Sequence, residues 1–296
     1  MFDFIYNVFG WIMRQFYVLT DNYVISIFLF TLLFRLIMLP FSIKQQKASA
    51  KMARIQPKIK RIQEKYATNK TKMNEEMQKL YQKENYNPAS LAGCLPSLVQ
   101  LLLIFPLIKV IYNPITYILN VSGETITKLV ETFSIDASKS GYEIRILGES
   151  FDKIKEIAGG EVADKIANFN GSIFGIDISQ QPEISAFSLL WIIPILAAGL
   201  QFAVSFISIR QQKANGQAAA GSMGCMLYGM SLFSLYLCFT LPAGMGIYWI
   251  SSSLIMLIQQ LLMNKFYGPG RIAAQLMVDE TLDRREKEKS IKQKSC

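Results

Sequence analysis

The stretch FLFTLLFRLIMLPF, residues 28–41, places one arginine among almost entirely apolar neighbours. The apolar character extends over residues 23–43, which is close to the ~20 residues that a helix needs to cross a hydrocarbon core of about 30 Å. At ~1.5 Å per residue, Arg35 then lies about 12 Å from one end of the helix and about 18 Å from the other. A charge this close to mid-membrane is costly and usually marks a functional site.

Five apolar segments of this length occur in the 296 residues, of which 51% are hydrophobic. They predict an all-α integral membrane protein with five transmembrane helices. Residues 1–22 are also apolar, but Arg14 interrupts them and one face is rich in aromatic residues. We therefore expect an external amphipathic helix in the membrane interface, and we expect this segment to be retained because it lacks the features of a signal peptide. The predicted spans are residues 23–43, 93–112, 186–209, 223–241 and 244–265.

The loops between these spans differ in charge, and Lys and Arg favour the cytoplasmic side. Residues 44–92 hold twelve basic and four acidic side chains, whereas residues 113–185 hold six basic and eleven acidic ones. The connection 210–222 and the tail 266–296 are basic, like the first of these loops. The pattern predicts an external amino terminus, a cytoplasmic carboxyl terminus, and an external loop at 113–185 that contains a small folded insert.

The loop at 44–92 has apolar residues at spacings of four and three, from Ala48 to Tyr66 and again from Met73 to Leu80. This spacing predicts two helices folded into an antiparallel cytoplasmic hairpin. Pro57 falls inside the first helix and is expected to bend it. The hairpin is either a solvated connection or a docking arm for acidic partners, nucleic acid or lipid head groups.

Three arrangements can accommodate Arg35 in a membrane. Snorkelling to the nearer interface works against the lean of helical side chains toward the helix amino terminus. An intramembrane ion pair is excluded by the sequence, because every Asp and Glu lies outside the five predicted spans. A water-filled cavity is the remaining arrangement.

Polar residues of the other spans supply walls for such a cavity. Taken singly, each is also explained by hydrogen bonding between helices. Together with a lone arginine they favour a polar groove. The candidate lining residues are Thr31 and Arg35 in the first span, Gln100 in the second, Gln201 and Ser205 in the third, and Trp249, Ser252, Ser253 and Gln260 in the fifth.

This residue set argues against several classes of protein. The spans lack the Asp, Glu and His of proton-driven transporters, and the chain has no phosphate-binding G-x-x-x-x-G-K-[ST] stretch. With no histidine in the chain and no cysteine in the external loop, neither a metal site nor a disulfide framework is expected. No pair of nucleophile and base stands out for hydrolysis, although the serine-rich spans leave that reaction open. The pattern favours a positive groove that transiently accepts a polar or acidic peptide segment.

Blocks spread in order along the chain resemble the YidC/Oxa1/Alb3 family of membrane protein insertases, in its five-span bacterial form. The external residues 121–172 resemble no family that we recognise. The resembling blocks are FRLIMLPFSIKQQKASAKM at 34–52, IQPKIKRIQEKY at 55–66, NP at 87–88, AGCLPSLVQ at 92–100, FGIDIS at 174–179 and LPAGMGIYWISSSLIMLIQQ at 241–260.

The resemblance implies insertion of client transmembrane segments into the bacterial cell membrane, independently of the Sec translocon or together with it. It implies a protein that is not an enzyme and uses no cofactor and no nucleotide. It implies a groove in which Arg35, Gln201 and Trp249 occupy the family's groove positions. Its implied partners are nascent membrane proteins, the Sec translocon, membrane lipids, and ribosomes through the basic tail and cytoplasmic loops. The client-recruiting hairpin that it implies contains Ile55, Pro57, Lys58, Lys60 and Arg61.

Two other classes stay open on the residues alone. One is a secondary transporter or anion channel that uses Arg35 as its substrate site, although the internal repeat common in such proteins is not visible in the sequence. The other is a membrane scaffold, in which hairpin and tail bind partners and the groove is only structural.

Overall fold

The structure is a computed structural model that is helical over most of its length. Contacts divide the chain into two compact units. The first unit comprises Met1–Ile37, Leu98–Ser205 and Met226–Leu257, and the second comprises Met38–Ser97, Phe206–Cys225 and Ile258–Cys296. The residues that the structure describes are 2–84, 86, 105–138, 141–173, 175–177, 180–182, 187–214, 220–241 and 243–294.

Thirteen helices and one short antiparallel strand pair are assigned in the described residues. The helices are α1 Phe2–Thr20, α2 Tyr23–Lys65, α3 Lys70–Lys83, α4 105–112, α5 Pro114–Tyr117, α6 Gly123–Thr132, α7 Tyr142–Ile146, α8 Phe151–Ala158, α9 Gly160–Ala167, α10 Ile192–Ala214, α11 Ala220–Thr240, α12 Ala243–Phe266 and α13 Pro269–Lys294. The strands β1 Ser172–Ile173 and β2 Ile176–Asp177 pair with Ser172 opposite Asp177, and a 3-10 turn at Leu189–Trp191 precedes α10.

Three described segments are long and apolar enough to cross a membrane: Tyr23–Lys65, Leu189–Gln211 and Ala243–Ile272. They overlap the first, third and fifth predicted spans and support the predicted all-α membrane protein. The helix α11 covers most of the fourth predicted span, and α4 covers the end of the second, whose other residues mostly lie outside the described ones. The count of five spans stays a prediction.

The helix α2 is longer than the first predicted span, because it runs without interruption for 43 residues. Hydropathy changes at about residue 43, where KQQK begins, but Lys and Gln are good helix formers and no glycine follows. Both Pro40 and Pro57 lie inside this helix. A single helix therefore supplies both the first span and the first arm of the predicted hairpin.

In the first unit, α1 packs on α2 through aromatic side chains. The ring of Phe9 meets those of Phe30 and Phe34 edge-on, at centroid distances of 5.3 and 4.9 Å. On its other side, α1 exposes Trp11 and Leu19. One face of α1 is thus buried in protein while the other presents apolar surface, which suits contact with lipid.

The residues between α4 and α10 form an insert with its own apolar core. Ile115, Leu129, Ile146 and Ile154 are all fully buried in this cluster. The helices α8 and α9 cover the segment FDKIKEIAGGEVADKIANF and meet at Gly159, whose φ of +84° strongly favours glycine. Burial of branched aliphatic side chains on short helices explains how this small insert holds together.

The loop after α9 is fastened to the turn between α1 and α2. The carbonyl of Asn170 accepts the backbone N–H of Tyr23 at 2.9 Å, and its side-chain amide donates to the carbonyl of Asp21 at 2.9 Å. The Phe169 ring stacks on Tyr17 at 5.3 Å. These contacts fix the start of α2, the helix that carries Arg35.

In the second unit, α2 buries Ile55 and Ile59 on one side, while Lys58 reaches Glu84 after the end of α3 at 2.5 Å. Asn69 caps α3 by accepting the N–H of Lys72 at 3.0 Å. The ion pair brings the second arm of the predicted hairpin back to the first. The antiparallel hairpin itself stays a prediction that these contacts support.

Candidate functional site: the hydroxyl and amide contacts around Arg35

Arg35 is half-buried in the first unit and points from α2 to α12. Its Nη2 donates a hydrogen bond to Ser252 Oγ at 2.9 Å. Ser252 is buried within the run Ser251–Ser253, and serines are small enough to let neighbouring helices approach closely. The arginine is therefore oriented by a neutral hydroxyl group on another helix.

A second hydroxyl group at this site belongs to Tyr248. Tyr248 is buried one helical turn before Ser252, its hydroxyl hydrogen-bonds Ser252, and it interacts electrostatically with Arg35. Its neighbour Trp249 was predicted from the sequence as a groove residue, whereas Tyr248 was not. The i, i+4 spacing between Tyr248 and Ser252 is a signal that would have placed both side chains on one face of α12.

These two contacts leave the charge of Arg35 in place, because hydroxyl groups accept hydrogen bonds without neutralising a cation. A guanidinium is a planar fork of donors whose geometry matches that of a carboxylate. An anionic group that reached Arg35 would thus meet a cation whose orientation is already fixed.

Two further contacts join the helices around this site. Ser253 on α12 donates to Gln201 Oε1 on α10 at 3.0 Å. Ser205 on α10 and Ser231 on α11 lie 3.2 Å apart through their hydroxyl oxygens, and both are buried. Hydrogen bonds of this kind contribute about 0.6 kcal/mol each in membranes, so they set helix register more than stability.

A glycine permits the approach of α12 to α10. A Cβ placed on Gly246 would collide with the side chain of Ile193, which is itself buried. The Ser253–Gln201 bond lies two helical turns farther along α12. Close packing at Gly246 therefore helps to bring these polar side chains within hydrogen-bond distance.

The remaining predicted groove residues differ in position. Thr31 is buried and donates to the carbonyl of Ile27 at 2.7 Å, within its own helix. Trp249 is half-buried and packs against the apolar core of the first unit. Gln260 belongs to the second unit, where its amide donates to Ser208 at 2.8 Å. Gln100 lies outside the described residues.

The structure thus brings together, in the first unit, the pairs Arg35–Ser252, Ser253–Gln201 and Ser205–Ser231. Thr31 instead hydrogen-bonds within its own helix, and Trp249 packs on the apolar core. Of the predicted hairpin residues in the second unit, Ile55 is buried. The others are solvent-exposed: Pro57, Lys58, Lys60 and Arg61.

The insert contains an ionisable residue that the sequence analysis missed. Glu143 is fully buried, and its carboxylate accepts the backbone N–H of Thr116 at 2.9 Å and the Thr116 hydroxyl at 2.6 Å. Burial raises the pKa of Glu143, while the hydrogen bonds from Thr116 act in the opposite direction. This carboxylate ties α7 to α5. Glu143 is one of eleven acidic residues in the loop 113–185, and nothing in the sequence singled it out for that role.

Within the part of the chain that the structure describes, no group of three or more His, Cys, Asp or Glu side chains is arranged to hold a metal ion. The described contacts at and near Arg35 come from the hydroxyl groups of Tyr248, Ser252 and Ser253 and from the amide of Gln201. Such groups can bind and orient a polar or acidic segment.

Comparison with known proteins gives one family match over most of the chain. The family model described as "60Kd inner membrane protein" matches residues 15–269. The chain is 28% identical over 262 residues to a "Membrane protein insertase YidC" of Fusobacterium nucleatum, and this alignment covers 87% of the chain and 96% of the relative.

Two other relatives carry the same name and are covered less completely. The relative from Treponema denticola is 30% identical over 262 residues, which is 88% of this chain but 37% of that protein. The relative from Clostridium perfringens is 51% identical over 86 residues, which is 29% of this chain and 35% of that protein. The matched segments therefore span little more than a third of the length of these two relatives.

Proposed function

Because the chain belongs to the 60Kd inner membrane protein family, we propose that it is a membrane protein insertase of the YidC type. It inserts client transmembrane segments into the bacterial cell membrane, by itself or together with the Sec translocon, and it acts as a binding surface and not as an enzyme. The observation that supports this most directly is Arg35, a half-buried cation of an apolar helix held by Ser252 and beside Tyr248.

The proposed architecture has five spans, with the amino terminus outside and the carboxyl terminus in the cytoplasm. In it, α2, α10 and α12 surround a groove that is polar at the level of Arg35. The contacts Arg35–Ser252 and Ser253–Gln201 support this arrangement, because each places a polar pair between helices that are otherwise apolar.

In the proposed mechanism, the polar outer segment of a client enters the groove from the cytoplasm. Hydroxyl and amide groups there replace part of the water that the segment loses, and Arg35 attracts acidic side chains. The apolar distance still to be crossed is shorter than a full bilayer. Moving a charge across lipid is costly, so a shorter path lowers the barrier to translocation.

Transfer of the client's hydrophobic segment into lipid supplies the free energy for insertion. This segment moves along the exposed apolar faces of α10 and α12 into lipid, and each Å² of apolar surface removed from water contributes about 25 cal/mol. Exposed Leu196 and Ile195 on α10 offer such a surface. The membrane potential assists acidic outer segments by about 2.3 kcal/mol per charge per 100 mV.

The proposed partners are nascent membrane proteins, the Sec translocon, ribosomes and lipids. The cytoplasmic hairpin recruits clients through its exposed basic residues Lys58, Lys60 and Arg61, next to the buried Ile55. The basic charge of hairpin and tail makes both suitable for acidic partners such as a ribosome.

The test is insertion of a single-span client with a short acidic outer tail into proteoliposomes that contain the protein. Wild type is expected to insert this client. Arg35→Ala is expected to insert it at least about tenfold more slowly, and a tenfold change corresponds to about 1.4 kcal/mol. Lys109→Ala is the matched control, because it removes an exposed positive charge near the end of another predicted span.

Failure of folded wild-type protein to insert the client would contradict the proposal. Substrate-dependent anion flux in the same vesicles would favour a channel or transporter. Equal losses in Arg35→Ala and Lys109→Ala would show that total positive charge matters and that the Arg35 site does not.

A further inference from the structure

The last described helix, α13, has two unlike sides. It begins at Pro269, and only two residues separate it from the end of α12 at Phe266. Ile272 in its first turn is 3% exposed, so this side of the helix faces protein. The helix then continues to Lys294, which gives it 26 residues. The burial of Ile272 holds the first turn of α13 against protein, and the described residues farther along the helix include exposed ones.

The exposed side combines apolar and basic residues in one narrow stripe. At about 100° per residue, six exposed residues fall within an arc of about 80° along the helix. Val278 and Leu282 are 57% and 51% exposed, although both are large and apolar. The exposed acids Glu286 and Glu288 lie outside this arc. The stripe, named here the basic-apolar face, consists of Arg271, Ala274, Val278, Leu282, Arg285 and Lys289.

The chemistry of this face selects among partners. A site for nucleic acid is built from basic residues with polar or aromatic ones, and aliphatic side chains contribute little to phosphate contact. Branched aliphatic residues flanked by Arg and Lys on one side of a helix are typical of helices that lie in a membrane interface. Bacterial cytoplasmic leaflets are rich in anionic lipid, which complements the three cations.

The position of α13 favours the same partner. The last turns of α12 expose the large apolar side chains Leu262 and Phe266, at the end of a predicted span. The two-residue connection keeps the start of α13 within about 10 Å of that level. A short tether raises the effective concentration of the face at the membrane, so a weak affinity suffices for docking.

We propose that the basic-apolar face of α13 docks on the anionic surface of the membrane in which the protein is embedded. Val278 and Leu282 enter the boundary between head groups and acyl chains, and Arg271, Arg285 and Lys289 contact lipid phosphates. The cytoplasmic location of this docking rests on the proposed topology. Contact of the tail with a ribosome would compete with it.

The experiment measures hydrogen–deuterium exchange of the segment 269–294 in the full chain, reconstituted in nanodiscs with and without phosphatidylglycerol. The protein is compared with the double variant Arg285→Glu/Lys289→Glu and with Val278→Asp. The matched control is Lys70→Glu/Lys72→Glu, which makes the same change of charge at exposed positions of α3. Nanodiscs expose both leaflets, so the readout does not depend on which side the tail occupies.

Phosphatidylglycerol is expected to slow exchange in the wild-type segment by about fivefold or more, and added salt to reverse the effect. Both α13 variants are expected to lose this protection, and the α3 control to keep it. Equal exchange in the two lipid mixtures would overturn the proposal. Protection that arises only after ribosomes are added would also overturn it and would assign the face to the ribosome.

Client insertion is measured on the same preparations. Lipid-dependent protection in a protein that inserts no client would contradict the proposed insertase function and leave the docking intact. Client insertion without lipid-dependent protection would contradict the docking of α13 and leave the proposed insertase function intact.

Discussion

Arg35 and Glu143 lie in two regions of the same unit, and each is removed at least in part from bulk water. Glu143 in the insert is fully buried, and two donors of Thr116 satisfy its carboxylate. Arg35 between α2 and α12 is only half-buried and is oriented by hydroxyl groups. The complete burial of Glu143 suits a structural role, whereas the partial exposure of Arg35 suits binding of a client.

The largest expected effect on stability is at Glu143. In Glu143→Ala the N–H and hydroxyl of Thr116 lose their acceptor in a buried site, which should cost the insert about 2–4 kcal/mol of unfolding free energy. Hydrogen exchange of residues 123–167 in the full chain measures this loss. Glu143→Gln keeps one acceptor oxygen and should lose less.

At a temperature where the insert remains folded, Glu143→Ala is expected to insert clients at a rate within about twofold of wild type. A twofold change in rate corresponds to about 0.4 kcal/mol. A large loss of insertion with an intact insert would show that Glu143 has more than a structural role, and the contrast with Arg35 would fail.

The next largest effect concerns the packing that brings the polar contacts together. Gly246→Val introduces side-chain atoms where Ile193 already packs, at a cost of about 1–3 kcal/mol. We expect α10 and α12 to separate, and a disulfide engineered between Gln201→Cys and Ser253→Cys to form more slowly. Gly229→Val is the matched control, because a Cβ there meets no described atom within 4 Å. Equal crosslinking in both variants would refute this role of Gly246.

A smaller effect is expected at Ser252. Ser252→Ala removes the hydroxyl that orients Arg35 but leaves the charge, so the stability loss should be about 0.6 kcal/mol. Insertion should decrease, by less than in Arg35→Ala, and Ser252→Thr should restore it since threonine keeps the hydroxyl. Initial insertion rates in proteoliposomes measure both. A Ser252→Ala protein as impaired as Arg35→Ala would mean that orientation matters as much as charge.

The smallest effect is a pH dependence of the insert. Burial raises the pKa of Glu143 in the folded insert above its unfolded value, so the folded state retains this proton to higher pH. Its contribution to stability is therefore complete below the unfolded pKa and is lost as pH rises through the folded pKa. The surface carboxyl of Glu161 acts in the opposite sense, because Lys165 lowers its pKa.

Comparing wild type with Glu143→Gln isolates the contribution of Glu143, since Glu161 is present in both. We expect the stability difference between the two proteins to vary with pH in the acidic range, in exchange data corrected for intrinsic rates. A difference that stays constant with pH would show that this carboxyl does not titrate as its burial predicts.

The sequence predicted the parts of this account that depend on local composition. Apolar length located the segments around α2, α10 and α12, and the cost of a charge in lipid singled out Arg35. The boundary at residue 43 marks a change of hydropathy but no helix end, because Lys and Gln continue a helix as well as Leu does.

The missed residues depend on distant contacts. Tyr248 matters because α12 turns it toward Ser252 and Arg35, and Glu143 because the insert places it beside Thr116, 27 positions away in sequence. Neither relation follows from hydropathy or loop charge. The partners Ser253 and Gln201 were both named in advance, but their pairing depends on the register between two helices that approach at Gly246.

The most direct test of the central claim couples Arg35 to the charge of the client. Insertion rates are measured for wild type and Arg35→Ala with two clients that differ only in whether the outer tail is acidic or neutral. If Arg35 receives the charge of the client, the loss in Arg35→Ala is about tenfold greater for the acidic tail, a coupling of about 1.4 kcal/mol. Equal losses for both clients would contradict this claim, because Arg35 would then shape the groove without receiving the charge of the client.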